Sequence, residues 1–273
     1  MQLQEKIPVT QPTRNRQKIE EAETFQARSE IVINGLVKKY GDITAVNNLS
    51  LDIRKGEMFG FLGPNGAGKT TTISMLCGLL KPSAGSAQIA GYDIAKEPQK
   101  VKAHIGVCPQ EAAVFKFLSG MENLILFGNL HGMNPQLIRE RAARLVEQAD
   151  FVDAARRKAK GYSGGMMRQL NLLIALISDP EIVFLDEPTV GMDARARRRT
   201  WDNIAALKDE GKTVILTTHY IEEAETLSDR VGIIDYGELV ALDTPKALME
   251  AHHVDDLEGV FIKITGRRIA EGM

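Results

Sequence analysis

The sequence predicts an α/β fold built on a mostly parallel sheet, and three observations carry that prediction. From Ile31 onward, β-rich runs alternate with helical patterns. A buried run, EMFGFLG (57–63), passes through a glycine turn straight into a helical pattern, KTTTISMLCGLL (69–80). Two later β-rich runs, EIVFLDEPT (181–189) and TVILTTHY (213–220), end in acidic or histidine side chains. Open α/β sheets bind their ligands beyond the C-terminal ends of the strands, where such groups would sit.

Composition is compatible with this and excludes several classes. The 273 residues are 44% apolar and 26% charged, an ordinary globular balance with enough chain for a substantial core. A net charge of −2 gives no general basic field, so nucleic acid is not suggested as a partner. The cluster Arg195, Arg197, Arg198 and Arg199 is the exception. On a helix Arg195, Arg198 and Arg199 share a side while Arg197 faces away, which reads as a solvated face with Arg198 pairing Asp202. Cys77 and Cys108 lie inside apolar segments, which fits buried thiols in a reducing, cytoplasmic compartment. No apolar run approaches the roughly 20 residues of a membrane helix, so any membrane part is expected on another chain.

In chain order, residues 1–30 are polar, of mixed charge, and lack the apolar core of a signal peptide; they read as a tail or a short surface helix. IVINGLV (31–37) and AVNNLSLDI (45–53) read as strands. The strand at 57–63 leads into GPNGAGKTT: Gly63, Pro64, Asn65, Gly66, Ala67, Gly68, Lys69, Thr70 and Thr71. This fits G-x-x-x-x-G-K-[ST], in which glycines let backbone N–H groups curl around a phosphate at a helix N-terminus. Lys69 would reach the β- and γ-phosphates and the Thr70 hydroxyl would bind Mg²⁺. A glycine-rich turn without ligand is the bland alternative. In IVFLDEP a strand ends in two carboxylates whose side chains should point apart, giving Asp186 and Glu187 separate jobs. Asp186 suits a Mg²⁺ shell and Glu187 the activation of a water; two solvated acids at a strand end is the alternative for LDEP alone. His219 ends the next strand, whereas His104, His131, His252 and His253 have no such placement and read as structural or solvent-facing. Finally, YSGGMMRQLNLLIALI (162–177) sets Ser163, Gly164 and Gly165 at the mouth of an amphipathic helix. That is a second phosphate-receiving helix end, redundant unless it meets a nucleotide held by another copy.

With these residues in order, the chain resembles the ATP-binding cassette family, as the nucleotide-binding subunit of a transporter, over about residues 31–245. Tyr40 in KKYGD resembles the adenine-stacking aromatic, Gly63 to Thr71 the Walker A loop, and Gln110 in VCPQ the Q-loop glutamine. YSGGM resembles the signature, IVFLDEP the Walker B strand, GMD (191–193) the D-loop, and His219 the switch histidine. Tyr162 and Met166 stand where the family often has Leu and Gln, a variation found in the branch of drug, lipid and polysaccharide exporters. LSGM (118–121) mimics the signature and is taken as a decoy.

The resemblance implies a P-loop NTPase core with an antiparallel β subdomain and an inserted helical subdomain at about 113–165, followed by a short helical extension at 246–273. It implies ATP and Mg²⁺, with Thr70, Gln110 and Asp186 at the metal and Lys69, Gln110, Glu187 and His219 in catalysis. It also implies a second cassette, as a homodimer whose Ser163 to Gly165 complete each site, and separate membrane subunits on whose cytoplasmic side the chain sits. Within the helical subdomain, Leu137, Ala142, Leu145 and Val146 are expected to form a buried side. Near the C-terminus, Leu257, Val260, Phe261 and Ile264 have the spacing of a helix packing on its own domain and resemble the exporter branch's tail, with no room left for a long regulatory domain. Two alternatives remain: an ATPase of this family acting on ribosomes or DNA, and a P-loop kinase.

Overall fold

In the computed structural model, which describes residues 29–111 and 113–269, the strands are β1 (Ser29–Tyr40), β2 (Ile43–Arg54), β3 (Met58–Leu62), β4 (Ala84–Ile89), β5 (Tyr92–Asp93), β6 (Ile105–Cys108), β7 (Ile182–Asp186), β8 (Thr213–Thr218), β9 (Arg230–Asp235) and β10 (Glu238–Asp243). Alternation along β1 and β2 buries Ile31, Ile33 and Leu36 against Val46, Leu49 and Ile53. These strands pair antiparallel, with Tyr40 opposite Ile43, in a four-stranded sheet ordered β2-β1-β4-β5.

The second sheet is ordered β10-β9-β3-β8-β7-β6. Its pairs from β9 to β6 are parallel, and only β10 runs antiparallel. Every residue of β3, β7 and β8 is buried, as befits central strands covered on both faces. The expected α/β architecture, a mostly parallel sheet beside an antiparallel one, is therefore present. The C-terminal ends of the parallel strands β3, β7 and β8 place Gly63, Glu187 and His219 at one end of the sheet.

Between β6 and β7 the chain forms helices Gly120–Leu130, Pro135–Gln148, Val152–Ala155 and Gly164–Leu176. The expected buried side of the second needs one correction. Ile138, Ala142, Leu145 and Val146 are buried, but Leu137 is 45% exposed. Steps of four, three and one from Ile138 follow a single helical stripe, and Leu137 lies about 100° away from it. Other expectations hold. Leu257, Val260 and Phe261 of the helix Leu257–Thr265 are buried with Leu62, Ala224, Val231 and Leu248, so this helix packs on its own domain. Arg198 lies 3.6 Å from Asp202 on an exposed face, whereas Arg197 covers the Tyr220 ring at 4.5 Å. Cys77 and Cys108 are free and buried. Among the described residues no helix is long and apolar enough to cross a membrane. The expected tail falls, for residues 1–28, outside the described residues, as do the last four residues of the C-terminal extension.

Candidate active site

The loop after β3 is shaped by close approach. A Cβ on Gly63 would sit 2.3 Å from the Ile234 carbonyl oxygen, and one on Gly68, at φ +103°, would sit 2.4 Å from that of Ala45. Only glycine fits either position. Gly237 N–H donates to the Ala67 carbonyl at 3.0 Å, fastening the loop to the β9–β10 turn. The helix Lys69–Leu76 begins where the loop ends, and Lys69, 4% exposed, turns its ammonium back to the Gly63 and Pro64 carbonyls at 2.7 and 3.1 Å. Burial pulls its pKa below the usual lysine value, and the charges of Glu187 and Asp186 offset this only in part.

Asp186 and Glu187 do go to separate surroundings. The Asp186 carboxylate accepts from the Thr70 hydroxyl at 3.2 Å and from the Thr217 hydroxyl. This pairing of a carboxylate with a hydroxyl at the mouth of the loop is an oxygen-only donor set, which fits a hard cation such as Mg²⁺. Glu187 leaves the strand at φ +50°, rare for a residue with a side chain. Three contacts hold it there: its N–H donates to the Thr217 carbonyl and hydroxyl, each at 3.1 Å, and its carbonyl accepts from Arg168 at 3.0 Å. The Glu187 carboxylate is where the site converges. His219 Nδ1 lies 3.2 Å away, Gln110 Nε2 donates at 3.0 Å, and Lys69 Nζ lies 3.6 Å away. Burial alone would raise the Glu187 pKa, but His219 and Lys69 outweigh it and hold the carboxyl below its usual range, ionised at neutral pH.

Tyr40, 47% exposed, lies at the end of β1, where the Lys38 ammonium sits 5.1 Å from its ring centre. Ser163 caps the helix Gly164–Leu176, its hydroxyl accepting from Met166 N–H at 3.3 Å. With Gly164 and Gly165 it lines a pocket together with Gly191, Met192 and Asp193, and no residue of 63–71 takes part. This cap is thus not brought to its own chain's loop.

The decoy is explained in the same terms. Ser119 caps its helix with nearly identical backbone angles, but Glu122 closes a capping box over it. A Cβ on Gly120 would meet the Tyr162 hydroxyl at 2.7 Å and Ala155 Cα at 2.9 Å, whereas one on Gly164 would meet nothing within 4 Å.

Two residues that matter to the site were not singled out from the sequence. Arg168 holds the Glu187 carbonyl. Asn171, 1% exposed, donates to the Pro109 carbonyl at 3.0 Å and accepts from Ala113 N–H at 3.1 Å, bracketing Gln110. The available signal was an Asn set inside the apolar run LNLLIALI.

A family model described as ABC transporter matches residues 46–190. The doxorubicin resistance ATP-binding protein DrrA of Mycobacterium tuberculosis is 47% identical over 80% of this chain and 66% of its own length, so the chain spans about two thirds of that relative. The Nod factor export ATP-binding protein I of Burkholderia orbicola is 42% identical over 78% of this chain and 70% of its own. Among solved structures, the dimeric post-hydrolysis state of the ATP-binding cassette MJ0796 bound to ADP and Pi superposes with TM-score 0.72 at 26% identity, covering 78% of this chain and 98% of that one.

Proposed function

The chain belongs to the ABC transporter family, and from that premise we propose that it binds and hydrolyses ATP to drive export through separate membrane subunits. The observation that carries the reading is the convergence of Lys69, Gln110 and His219 on the ionised Glu187 carboxylate beside a phosphate-binding loop. An ionised carboxylate held at a strand end by fixed partners is a general base placed for a water.

In this reading the N–H groups of Asn65 to Thr71 and the Lys69 ammonium take the phosphates of ATP, and Tyr40 stacks on the base. Thr70 and Asp186, with Gln110, hold Mg²⁺, which neutralises phosphate charge when bound. Glu187 accepts a proton from the attacking water. His219 steadies the γ-phosphate. Ser163, Gly164 and Gly165 line a pocket in which no residue of 63–71 takes part, and the relative bound to ADP and Pi is dimeric; these residues therefore serve a second copy's nucleotide, and two copies close head to tail over two ATP. Closure and reopening are the two states that membrane subunits on the cytoplasmic face read. Export is supported by the similarity to drug-resistance and Nod factor export proteins.

The test is the mass in solution of Glu187→Gln protein with Mg·ATP and with Mg·ADP. A shift from monomer to dimer with ATP alone is expected. A monomer in both, persisting in the presence of the membrane subunits, refutes the composite site. Phosphoryl transfer to an added metabolite in place of hydrolysis would turn the assignment to a kinase.

A further inference from the structure

Glu223 lies four residues past His219, on the helix Ile221–Leu227, and is wholly buried. Its Oε1 accepts from the Thr189 hydroxyl at 2.6 Å and from the Trp201 indole N–H at 2.8 Å. These donors come from different parts of the chain. Thr189, also fully buried, stands two residues after Glu187, and its carbonyl accepts from Met192 N–H at 3.1 Å, starting the turn to Asp193. Trp201 lies on the helix Ala194–Asp209, which Asp193 caps. One carboxyl oxygen thus gathers the segment after Glu187, the helix beyond it, and the helix that follows His219.

The other oxygen, Oε2, and Arg197 Nε are buried outside hydrogen-bond geometry, and the Thr218 hydroxyl and the Arg197 charge both act on the carboxyl. Burial pushes the Glu223 carboxyl above its usual pKa. If the position needed only volume, Met or Leu would fill it without the cost of burying a carboxyl. What a carboxyl adds is an acceptor that fixes two donors at once.

We propose that Glu223 is a positioning residue, tying the segment from Thr189 to Asp193 to the histidine helix so that His219 stays in register with Glu187. This rests on the reading that Glu187 and His219 act in hydrolysis. It also connects that pair to Gly191, Met192 and Asp193, which line the pocket of Ser163 to Gly165.

The experiment compares Thr189→Val, Glu223→Gln and Glu223→Met in the full chain by two readouts. In amide hydrogen exchange without nucleotide, residues 189–193 and 219–222 should exchange about fivefold faster in Thr189→Val and Glu223→Met, with β3 and β7 unchanged. In ATP turnover, kcat should fall about tenfold to a hundredfold with KM for ATP within about twofold of wild type. Glu223→Gln, which keeps a carbonyl acceptor, should recover most of the loss. In a His219→Ala background Thr189→Val should cost nothing more, because the tie acts through that histidine. Should Glu223→Met fail to fold, Thr189→Val retains the shape and decides the matter. Wild-type exchange in Thr189→Val overturns the tie, and a loss that adds fully to that of His219→Ala overturns its action through His219. A wild-type chain without turnover overturns the hydrolytic reading instead, and the proposal that depends on it.

Discussion

Gly120 and Gly164 form a controlled pair. Each is the first residue of a helix behind a serine cap, and the caps have φ and ψ of −70° and 168° at Ser119 and −69° and 166° at Ser163. The intrinsic gain from replacing glycine by alanine in a helix, up to about 1 kcal/mol, is therefore common to both and cancels. What differs is the surroundings. At Gly120 an added methyl meets Tyr162 Oη at 2.7 Å and backbone Cα of Ala155 at 2.9 Å, and backbone cannot rotate away. Overpacking of this kind costs about 1–3 kcal/mol, or about 2–12 °C in melting temperature for a chain of this size. At Gly164 the methyl enters open space. Gly164→Ala should melt at or slightly above wild type yet lose at least about tenfold in ATP turnover, because the methyl would stand where the second copy's γ-phosphate approaches. Gly120→Ala should melt lower and, once folded at low temperature, turn over normally. Thermal melts and steady-state hydrolysis on the two variants suffice. Wild-type turnover in Gly164→Ala, or equal destabilisation of both, would refute the assignment of the two motifs.

Further outcomes follow from the same geometry. Ser163→Arg should leave ATP binding by the monomer unchanged in equilibrium titration and abolish hydrolysis, since in the proposed dimer the cap would meet only the partner's nucleotide; unaltered hydrolysis would count against that placement. Tyr162→Phe removes the hydroxyl that donates to the Ala154 carbonyl at 2.6 Å, and should cost about 1–2 kcal/mol in denaturant melts. Burial pushes the Cys108 thiol up to about 12 and raises Cys77 as well, so neither should react with a thiol reagent at pH 8 until the chain is unfolded.

Legibility in the sequence tracked how local the controlling physics is. The loop at 63–71 was legible because its glycines, its lysine and the strand and helix on either side are contiguous. The separation of Asp186 from Glu187 was legible from strand alternation, but not its cause at Glu187, where φ is +50° under three hydrogen bonds from Thr217 and Arg168. Strands β4, β5, β6, β9 and β10 were not singled out; in β4 and β10, AGSAQI and ELVALD lack the β-branched runs that announce a strand, and pairing with β1 and β9 makes them strands. Leu137 was misplaced by one residue: Leu and Ile at 137 and 138 are equally apolar, and the four-residue step to Ala142 is what selects Ile138. Glu223 stayed invisible because its donors lie 34 and 22 residues away.

The helix Gly164–Leu176 shows why these distant contacts belong to one device. Its open end, at Ser163, lines the pocket that the loop of its own chain does not reach. Arg168, just over one turn along, holds the Glu187 carbonyl, and Asn171, almost one turn further, holds Pro109 and Ala113 on either side of Gln110. From Ser163 to Asn171 the helix rises only about 12 Å, short enough to move as a rigid rod. On the proposed reading, a displacement of the cap would be felt at the Glu187 backbone and at the residues flanking Gln110 alike. If a partner's phosphate sits at that cap, as proposed, its occupancy and the alignment of Glu187 with Gln110 would change together, which is the coupling a nucleotide shared between two copies requires.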